Sequence, residues 1–149
     1  MGVSGYVVVD ASVAVKWLVR EEHTDRALVI LSAWHDDEVT PAAPYLLPFE
    51  VANALHRRVT RNQLSVGDTA RMISQLLSSR LELHQSVELH ARALALATEL
   101  QQGAVYDAHY LALAETLNCE LWTADERFHR AARQAARNVR WIGEPGILG

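Results

Sequence analysis

The sequence predicts an α/β fold in which a parallel sheet of about five strands lies between layers of helices. Five short β-rich runs alternate with longer segments of helical periodicity along the 149 residues. Strands that alternate with helices favour a parallel sheet covered on both faces. No linker, repeat or low-complexity segment interrupts the alternation. The chain is therefore expected to form a single domain over residues 1–149.

The first half of the chain predicts two strands and three helices. In order, these are a strand at 6–9, helices at 12–19 and 23–34, a brief strand at 39–40 that ends before the prolines, and a long helix at 45–61. The second helix is indicated by apolar residues at helical spacing, including Ala27, Ile30 and Trp34. Pro44 or Pro48 would lie in the opening turn of the long helix, where proline is tolerated.

The second half predicts three strands and four helices. They are helix 65–79, strand 81–84, helices 86–102 and 105–117, strand 120–123, helix 126–136 and strand 139–142. Ser65 is followed by Asp68 in a variant of the capping box, which indicates where the first of these helices begins. Gly103 is expected to end the helix at 86–102.

Composition narrows the class of protein. The chain has 18 acidic and 14 basic side chains, a formal charge of −4, so its overall field does not favour nonspecific nucleic-acid binding. Its single cysteine, Cys119, excludes an internal disulfide. No apolar run approaches the roughly 20 residues of a membrane span, and the N-terminus lacks the basic segment of a signal peptide. We therefore expect a cytoplasmic protein that has no membrane partner.

Carboxylates follow two of the predicted strands. Asp10 comes directly after the first strand, and Asp125 follows the fourth strand after one residue. The carboxyl ends of parallel strands share one edge of a sheet, where ligands bind. Asp107 opens a helix, and Glu50 interrupts the apolar run LLPFEVANAL. Because burying an unpaired carboxylate is costly, Glu50 predicts a partner, a metal ion or a bound proton.

Each acid also has an ordinary structural interpretation. Asp10 and Asp107 could each cap the helix that follows, and Asp125 could be a first-turn acid favoured by the helix dipole. Glu50, expected past the first turn of its helix, could pair with Arg57 in a polar stripe. The positions of these acids in the sequence do not show whether they have these structural roles or form one shared binding site.

Four segments in order, VVVDASVAVKWL, LLPFEVANAL, YDAHYLALA and LWTADERF, resemble the signature segments of PIN-domain ribonucleases. Within that family the chain most resembles the VapC toxins, and the resemblance covers essentially its whole length. It implies a three-layer sandwich with strand order 3-2-1-4-5. The acidic quartet of the family falls on Asp10, Glu50, Asp107 and Asp125. Its polar companions fall on Ser12, Asn53 and Thr123.

Clustered carboxylates repel one another, and a divalent cation relieves that repulsion. Oxygen ligands suit Mg²⁺ or Mn²⁺, and such an ion can activate water and stabilise charge on a phosphoryl group. We interpret Asp10, Asp107 and Asp125 as metal ligands, directly or through water. Glu50 would orient a water molecule or hold a second ion. Three side chains would support these acids: Ser12 and Thr123 by hydrogen bonding, and Asn53 by fixing Glu50 or contacting substrate.

The expected function is that of a Mg²⁺-dependent endoribonuclease toxin. The resemblance implies an RNA substrate, a homodimer and a cognate VapB-like antitoxin. The protein would contact operator DNA only through that antitoxin. Two alternatives stay open. One is a PIN-fold RNA-processing or DNA-directed nuclease outside a toxin–antitoxin system. The other is a noncatalytic binding protein whose acids anchor a basic peptide.

Thirteen of the 14 basic residues are arginines, and Lys16 is the only lysine. We hypothesise that one or both of two arginine clusters flank the cleft, although solvated helix faces would explain any single member. The clusters are Arg57, Arg58 and Arg61, and Arg127, Arg130, Arg133 and Arg137. His109 and His129 are expected on helix surfaces. The four tryptophans are expected in the core or an interface.

Overall fold

The computed structural model describes residues 5–101, 105–134 and 138–146. Its elements, in chain order, are β1 (Tyr6–Val9), α1 (Ala11–Leu18), α2 (Thr24–Asp36), β2 (Thr40–Pro44), α3 (Leu47–Thr60), α4 (Val66–Leu77), β3 (Glu82–His84), α5 (Val87–Glu99), α6 (Tyr106–Leu117), β4 (Leu121–Thr123), α7 (Glu126–Ala132) and β5 (Val139–Trp141). The predicted alternation of strands and helices is confirmed.

The five strands form one parallel sheet in the order β3-β2-β1-β4-β5. Strand β1 is central, and its Val8 is in register with Ala42 on β2 and with Leu121 on β4. The predicted α/β class and strand order are therefore confirmed. Because β1 and β4 are neighbours, the residues that follow them meet at one edge of the sheet.

Helices cover both faces of the central strand. Val8 and Val9 are each 0% exposed, and consecutive strand residues point to opposite faces of a sheet. Helix α6 packs against β1, β2 and β4, and α5 packs against α6. Helix α1 packs against α2, α3 and β4, while α3 also contacts α4. The buried apolar strand residues and these helices form one core.

Strand β2 is longer than predicted and includes two prolines. Thr40 N–H donates to the Gly5 carbonyl on the β1 side, and Tyr45 N–H donates to the His84 carbonyl on the β3 side. Backbone N–H groups point alternately to the two sides of a strand. At position 41 an N–H would point towards β3, but pairing with β3 begins only at Ala42, so the lack of an N–H in Pro41 costs no hydrogen bond. The N–H that Pro44 lacks falls on the β1 side, beyond the last β1 pair. Neither proline removes a ladder hydrogen bond, so the prediction that the strand ends before the prolines is wrong.

Most helix boundaries agree with the predictions to within two residues. Ser65 caps α4 by accepting a hydrogen bond from Asp68 N at 3.0 Å, as the capping pattern predicts. Pro48 lies in the first turn of α3. Helix α5 ends at Glu99, earlier than expected, and Gly103 lies outside the described residues.

Two expectations about large side chains have different outcomes. All four tryptophans lie in the core or pack against it, as predicted. His129, expected on a helix surface, is instead buried and stacks on Trp141 with ring centroids 6.3 Å apart. Burial lowers the pKa of His129, and the nearby Arg133 lowers it further.

None of the helices in the described ranges is both long and apolar enough to cross a membrane.

Candidate active site

A cavity of about 760 Å³ opens at the edge of the sheet where β1 and β4 end. Carboxylates from four separate elements line it, namely Asp10, Glu50, Asp107 and Asp125. Asp10 follows β1, Asp125 follows β4, and the other two lie in the first turns of α3 and α6. All four acids of the predicted quartet therefore border one space.

Asp10 is held on both carboxylate oxygens. Ser12 Oγ donates to Oδ1 at 2.5 Å, and Thr123 Oγ1 donates to Oδ2 at 2.5 Å. Asp10 also caps α1 by accepting a hydrogen bond from Val13 N at 3.3 Å. The capping interpretation is thus correct, and the same carboxylate faces the cavity. A fixed carboxylate at a strand end is pre-oriented for a ligand.

The two hydroxyls also join the turns that carry the acids. Ser12 Oγ accepts a hydrogen bond from Ala124 N at 2.8 Å, and Thr123 Oγ1 accepts one from Asp125 N at 3.0 Å. The β1–α1 turn is therefore tied to the β4–α7 turn. This arrangement fixes the position of Asp10 relative to that of Asp125.

The environment of Asp10 disfavours its charge. Burial raises the pKa of Asp10 to about 6, and the negative charge of Asp107 contributes in the same direction. Hydrogen bonds from Ser12, Thr123 and the Val13 amide oppose the shift without cancelling it. A cation in the cavity would remove much of this penalty, since an opposite charge favours the ionised carboxylate.

Asp107 does not cap its helix. The N-cap of α6 is Val105, so the structural alternative proposed for Asp107 is wrong. Partial burial raises the pKa of Asp107, and the charges of Glu50 and Asp125 raise it further. A cation beside Asp107 would relieve the repulsion that Glu50 and Asp125 exert on it.

Asp125 caps α7 and lines the cavity as well. Its Oδ1 accepts hydrogen bonds from Arg127 N at 3.0 Å and Phe128 N at 3.2 Å. It is therefore the N-cap itself, not a first-turn acid. Helix N-termini at Asp10 and Asp125 contribute partial positive charge beside these two acids.

Glu50 is bound by a residue that sequence reasoning missed. The Tyr110 hydroxyl donates to Glu50 Oε1 at 2.5 Å. Glu50 lies in the first turn of α3 because the helix begins at Leu47, later than expected. Tyr110 is three residues after Asp107 on α6, so both lie on one helix face. The three-residue spacing of Asp107 and Tyr110 within YDAHYLALA was the sequence signal that could have indicated Tyr110 as a site residue.

The other predicted partners of Glu50 do not contact it. Within the described ranges, Glu50 forms no ion pair with Arg57, so that alternative is wrong. Asn53 lines the cavity one turn beyond Glu50, but no hydrogen bond from its side chain to Glu50 is present in the described part of the chain. The predicted task of fixing Glu50 therefore belongs to Tyr110. Contact between Asn53 and a substrate, the other predicted role, stays a prediction.

A row of cations forms the adjacent wall of the cavity. This basic wall consists of Lys16, Arg57, Arg58 and Arg61. Lys16 Nζ lies 3.0 Å from Glu21 Oε1, and Arg58 pairs with the other oxygen of the same carboxylate. Of the two hypothesised arginine clusters, the one on α3 flanks the cavity. The described arginines of the second cluster are absent from its lining, and Arg137 lies outside the described residues.

The donor set fits a hard divalent cation held partly through water. Every predicted ligand supplies oxygen, which Mg²⁺ and Mn²⁺ prefer. Within residues 5–101, 105–134 and 138–146, no three His, Cys, Asp or Glu side chains are close enough to share one ion. Direct coordination by all three predicted ligands is therefore not the arrangement found. Mg²⁺ commonly binds through one or two carboxylates and retains several waters, which this geometry accommodates.

Comparison with known proteins agrees with the fold. Residues 7–134 match the PIN domain family. The chain is 33% identical to a VapC ribonuclease of Mycobacterium bovis over 121 residues, or 81% of this chain and 87% of that protein. It is 34% identical to ribonuclease VapC3 of Pyrobaculum aerophilum over 124 residues, or 81% and 90% of the two chains.

A solved toxin–antitoxin complex from Klebsiella pneumoniae contains a chain of the same fold. The TM-score is 0.66 at 19% identity, covering 93% of this chain and 98% of that one. The protein thus belongs to the PIN-domain family and, within it, to the VapC ribonucleases.

Proposed function

We propose that this protein is a divalent-metal-dependent endoribonuclease, the toxin of a toxin–antitoxin pair, that hydrolyses RNA phosphodiesters at Asp10, Glu50, Asp107 and Asp125. One observation carries the proposal: carboxylates from four elements line a single cavity together with a row of cations. Acids suited to binding a cation, beside cations suited to binding phosphates, match the needs of phosphodiester hydrolysis.

The basic wall supports a polymeric substrate. Glu50, Asn53 and Arg57 lie on the cavity face of α3, and Arg61, the C-cap residue of that helix, lines the same cavity. At a helical rise of 1.5 Å per residue, Glu50 and Arg61 are about 16 Å apart along the axis. This distance exceeds the length of one nucleotide, so the RNA strand would continue beyond the scissile phosphate along α3. A substrate that continues past the site favours endonucleolytic cleavage.

The residues of the chain would divide the chemistry among them. A bound Mg²⁺ or Mn²⁺ would supply water of lowered pKa and charge stabilisation at the phosphoryl group. Asp10, Asp107 and Asp125 would hold the ion directly or through water. Glu50 Oε1 accepts the Tyr110 hydrogen bond, which leaves Oε2 to orient the attacking water. Ser12 and Thr123 keep Asp10 in place.

A cognate antitoxin is the proposed protein partner. The related Klebsiella pneumoniae structure is that of a toxin–antitoxin complex. A VapB-like antitoxin would place basic groups over the acidic cavity and block access of RNA. We further propose that the protein forms a homodimer in the cytoplasm and reaches operator DNA only through the antitoxin.

Cleavage assays with purified protein test the nuclease proposal. EDTA should stop RNA cleavage, and millimolar Mg²⁺ or Mn²⁺ should restore it. Asp10→Asn should lower the cleavage rate by at least 100-fold and relieve growth inhibition, because it removes a buried charge that would face the ion. Asp36→Asn, at an exposed position on α2, is the matched control and should cleave normally.

Two outcomes would contradict the proposal. Cleavage that persists in EDTA would exclude metal dependence, and full activity in Asp10→Asn would exclude the quartet. Equal cleavage of DNA would favour the DNA-directed alternative. Binding of a basic peptide without any cleavage would favour the noncatalytic one. Mapping of RNA 5′ ends shortly after induction in cells would identify the target.

A further inference from the structure

Two histidines contact each other outside the acidic cavity. His90 on α5 and His109 on α6 approach with His90 Nδ1 2.8 Å from His109 Nε2. Their ring centroids are 4.9 Å apart, and the rings are nearly perpendicular at 73°. The contact bridges two packed helices. Neither residue has a part in the proposed nuclease chemistry.

The backbone determines which nitrogen of His109 carries hydrogen. His109 Nδ1 lies 3.0 Å from the Val105 carbonyl oxygen. Because a carbonyl can only accept, Nδ1 is the donor, and Nε2 of the neutral ring keeps its lone pair. Histidines that bind metals commonly donate the opposite ring N–H to a carbonyl, which fixes the tautomer and the ring orientation. His109 already has this arrangement, with Nε2 directed at His90.

The separation of the two nitrogens suits one shared ion. Imidazole nitrogens lie about 2.0–2.1 Å from Zn²⁺. Two such ligands are therefore about 2.9 Å apart at a right angle and about 3.4 Å apart at the tetrahedral angle. The observed 2.8 Å needs a widening of only a few tenths of an ångström. His90 is exposed, so its ring has room to turn.

A small cavity beside the pair leaves space for further ligands. Its volume is about 190 Å³, and His84, His90 and His109 all line it. His84 Nε2 is buried and lies 3.3 Å from Glu82 Oε1, without hydrogen-bond geometry in the described part of the chain. Within the described residues, His84 does not form a three-ligand group with the other two. Water would therefore complete the coordination.

We propose that His90 Nδ1 and His109 Nε2 bind a divalent transition-metal ion of the Zn²⁺ class. Imidazole nitrogen suits Zn²⁺, Ni²⁺ and Cu²⁺, whereas Mg²⁺ prefers oxygen, so this site and the acidic cavity select different ions. When the ion binds, the hydrogen on His90 Nδ1 moves through water to His90 Nε2, and both rings stay neutral. The ion links α5 to α6, the helix that carries Asp107 and Tyr110.

Isothermal titration with Zn²⁺ in millimolar Mg²⁺ tests this site. Wild-type protein should bind one equivalent at this site. His90→Gln or His109→Gln should each weaken binding at least tenfold, and His35→Gln, at an exposed position on α2, should leave binding unchanged. Asp10→Asn should also bind Zn²⁺ normally, which separates this site from the proposed nuclease site. Absence of saturable binding, or equal affinity in the histidine variants, would overturn the proposal.

Thermal unfolding gives a second measurement. At free Zn²⁺ about 100 times its dissociation constant, the melting temperature of wild-type protein should rise by roughly 5–11 °C, and EDTA should reverse the rise. His90→Gln loses the contact with His109, so the rise in each protein is measured from its own melting temperature in EDTA. The same rise with Zn²⁺ in His90→Gln would show that the ion binds elsewhere.

Discussion

Tyr110 shows how a buried residue supports a charged one. Its side chain is 1% exposed, and its hydroxyl donates to Glu50. Burial raises the pKa of Tyr110, with a further contribution from Glu50, so the phenol stays protonated and remains a donor. A buried hydroxyl needs a partner, and Glu50 gains a fixed orientation in return.

Removing this hydrogen bond should affect the rate of cleavage. Tyr110→Phe should lower kcat about 10- to 100-fold, corresponding to the 1.5–3 kcal/mol of a hydrogen bond to a charged group. KM should change little, because Tyr110 contacts Glu50 and is not part of the basic wall. Tyr106→Phe removes an exposed hydroxyl from the same helix and is the control. Wild-type kcat in Tyr110→Phe would exclude an orienting role.

Asp10 makes the stability of the metal-free protein depend on pH. Burial raises the pKa of Asp10 from 3.8 to about 6 in the folded protein, so the folded state binds the proton more tightly than the unfolded state. Stability is therefore gained as pH falls through 6 towards 4, and the charged form costs on the order of 3 kcal/mol at neutral pH.

Urea unfolding in EDTA at pH 7 and pH 5 measures this effect. We expect Asp10 to contribute a gain of about 1 kcal/mol between those values. Asp10→Asn should lack this gain and should be the more stable protein at pH 7. His129 and the other titrating groups are common to both proteins, so the difference between the two profiles isolates Asp10. Identical profiles would mean that Asp10 has an ordinary pKa.

At the scale of elements, helix α3 combines two functions. Its first turn carries Glu50, and its later turns present arginines to the same cavity. The helical period brings residues three, four and seven apart onto one face. Arg58 is partly neutralised by Glu21, so Arg57 and Arg61 are the better candidates for phosphate contacts.

Charge reversal on α3 should weaken RNA binding more than catalysis. Arg57→Glu or Arg61→Glu should raise KM several-fold with a smaller change in kcat. Each should also reduce the slope of log affinity against log salt by about 0.7, as expected for one lost phosphate contact on a single strand. Arg71→Glu, on the exposed surface of α4, should change neither quantity. An unchanged salt slope in both α3 variants would place the RNA elsewhere.

Helices α1 and α7 show that capping and ligand binding are compatible. Asp10 and Asp125 each satisfy backbone N–H groups at a helix start while facing the cavity. The chain passes from strand to helix where ligands bind in parallel sheets. A carboxylate at that junction therefore serves both purposes.

At the scale of the whole molecule, the acidic quartet accounts for the formal charge. The formal charge is −4, which equals the charge of the acidic quartet, so the remaining 14 acids and 14 bases balance. Repulsion within the quartet opposes folding when no cation is present. Binding of a divalent ion should therefore raise the free energy of unfolding.

Melting temperatures with and without millimolar Mg²⁺ measure this coupling. Mg²⁺ should raise the melting temperature of wild type by several degrees, since about 1 kcal/mol corresponds to 2–4 °C in a chain of this size. The rise should be smaller for Asp107→Ala, because one charge that favours the cation is gone. Asp37→Ala, at an exposed position after α2, should retain the wild-type rise. Equal shifts in wild type and Asp107→Ala would exclude Asp107 as a ligand.

The sequence alone determined the elements, the sheet and the position of the strand-end acids. Apolar periodicity depends on neighbouring residues and therefore predicts strands and helices directly. Parallel strands place all their carboxyl ends at one edge, so the strand positions put Asp10 and Asp125 at the same edge of the sheet. That their strands are neighbours was implied by the family resemblance and is confirmed by the pairing of β1 with β4.

Only the tertiary structure decided which side chains meet across elements. The Tyr110–Glu50 hydrogen bond, the pairing of Lys16 and Arg58 with Glu21, and the burial of His129 depend on how packed elements cross. The structure likewise put the arginines of α3, and not the described ones of α7, on the cavity wall. Local sequence sets the face on which a side chain lies, whereas helix crossing and strand register set what that face meets.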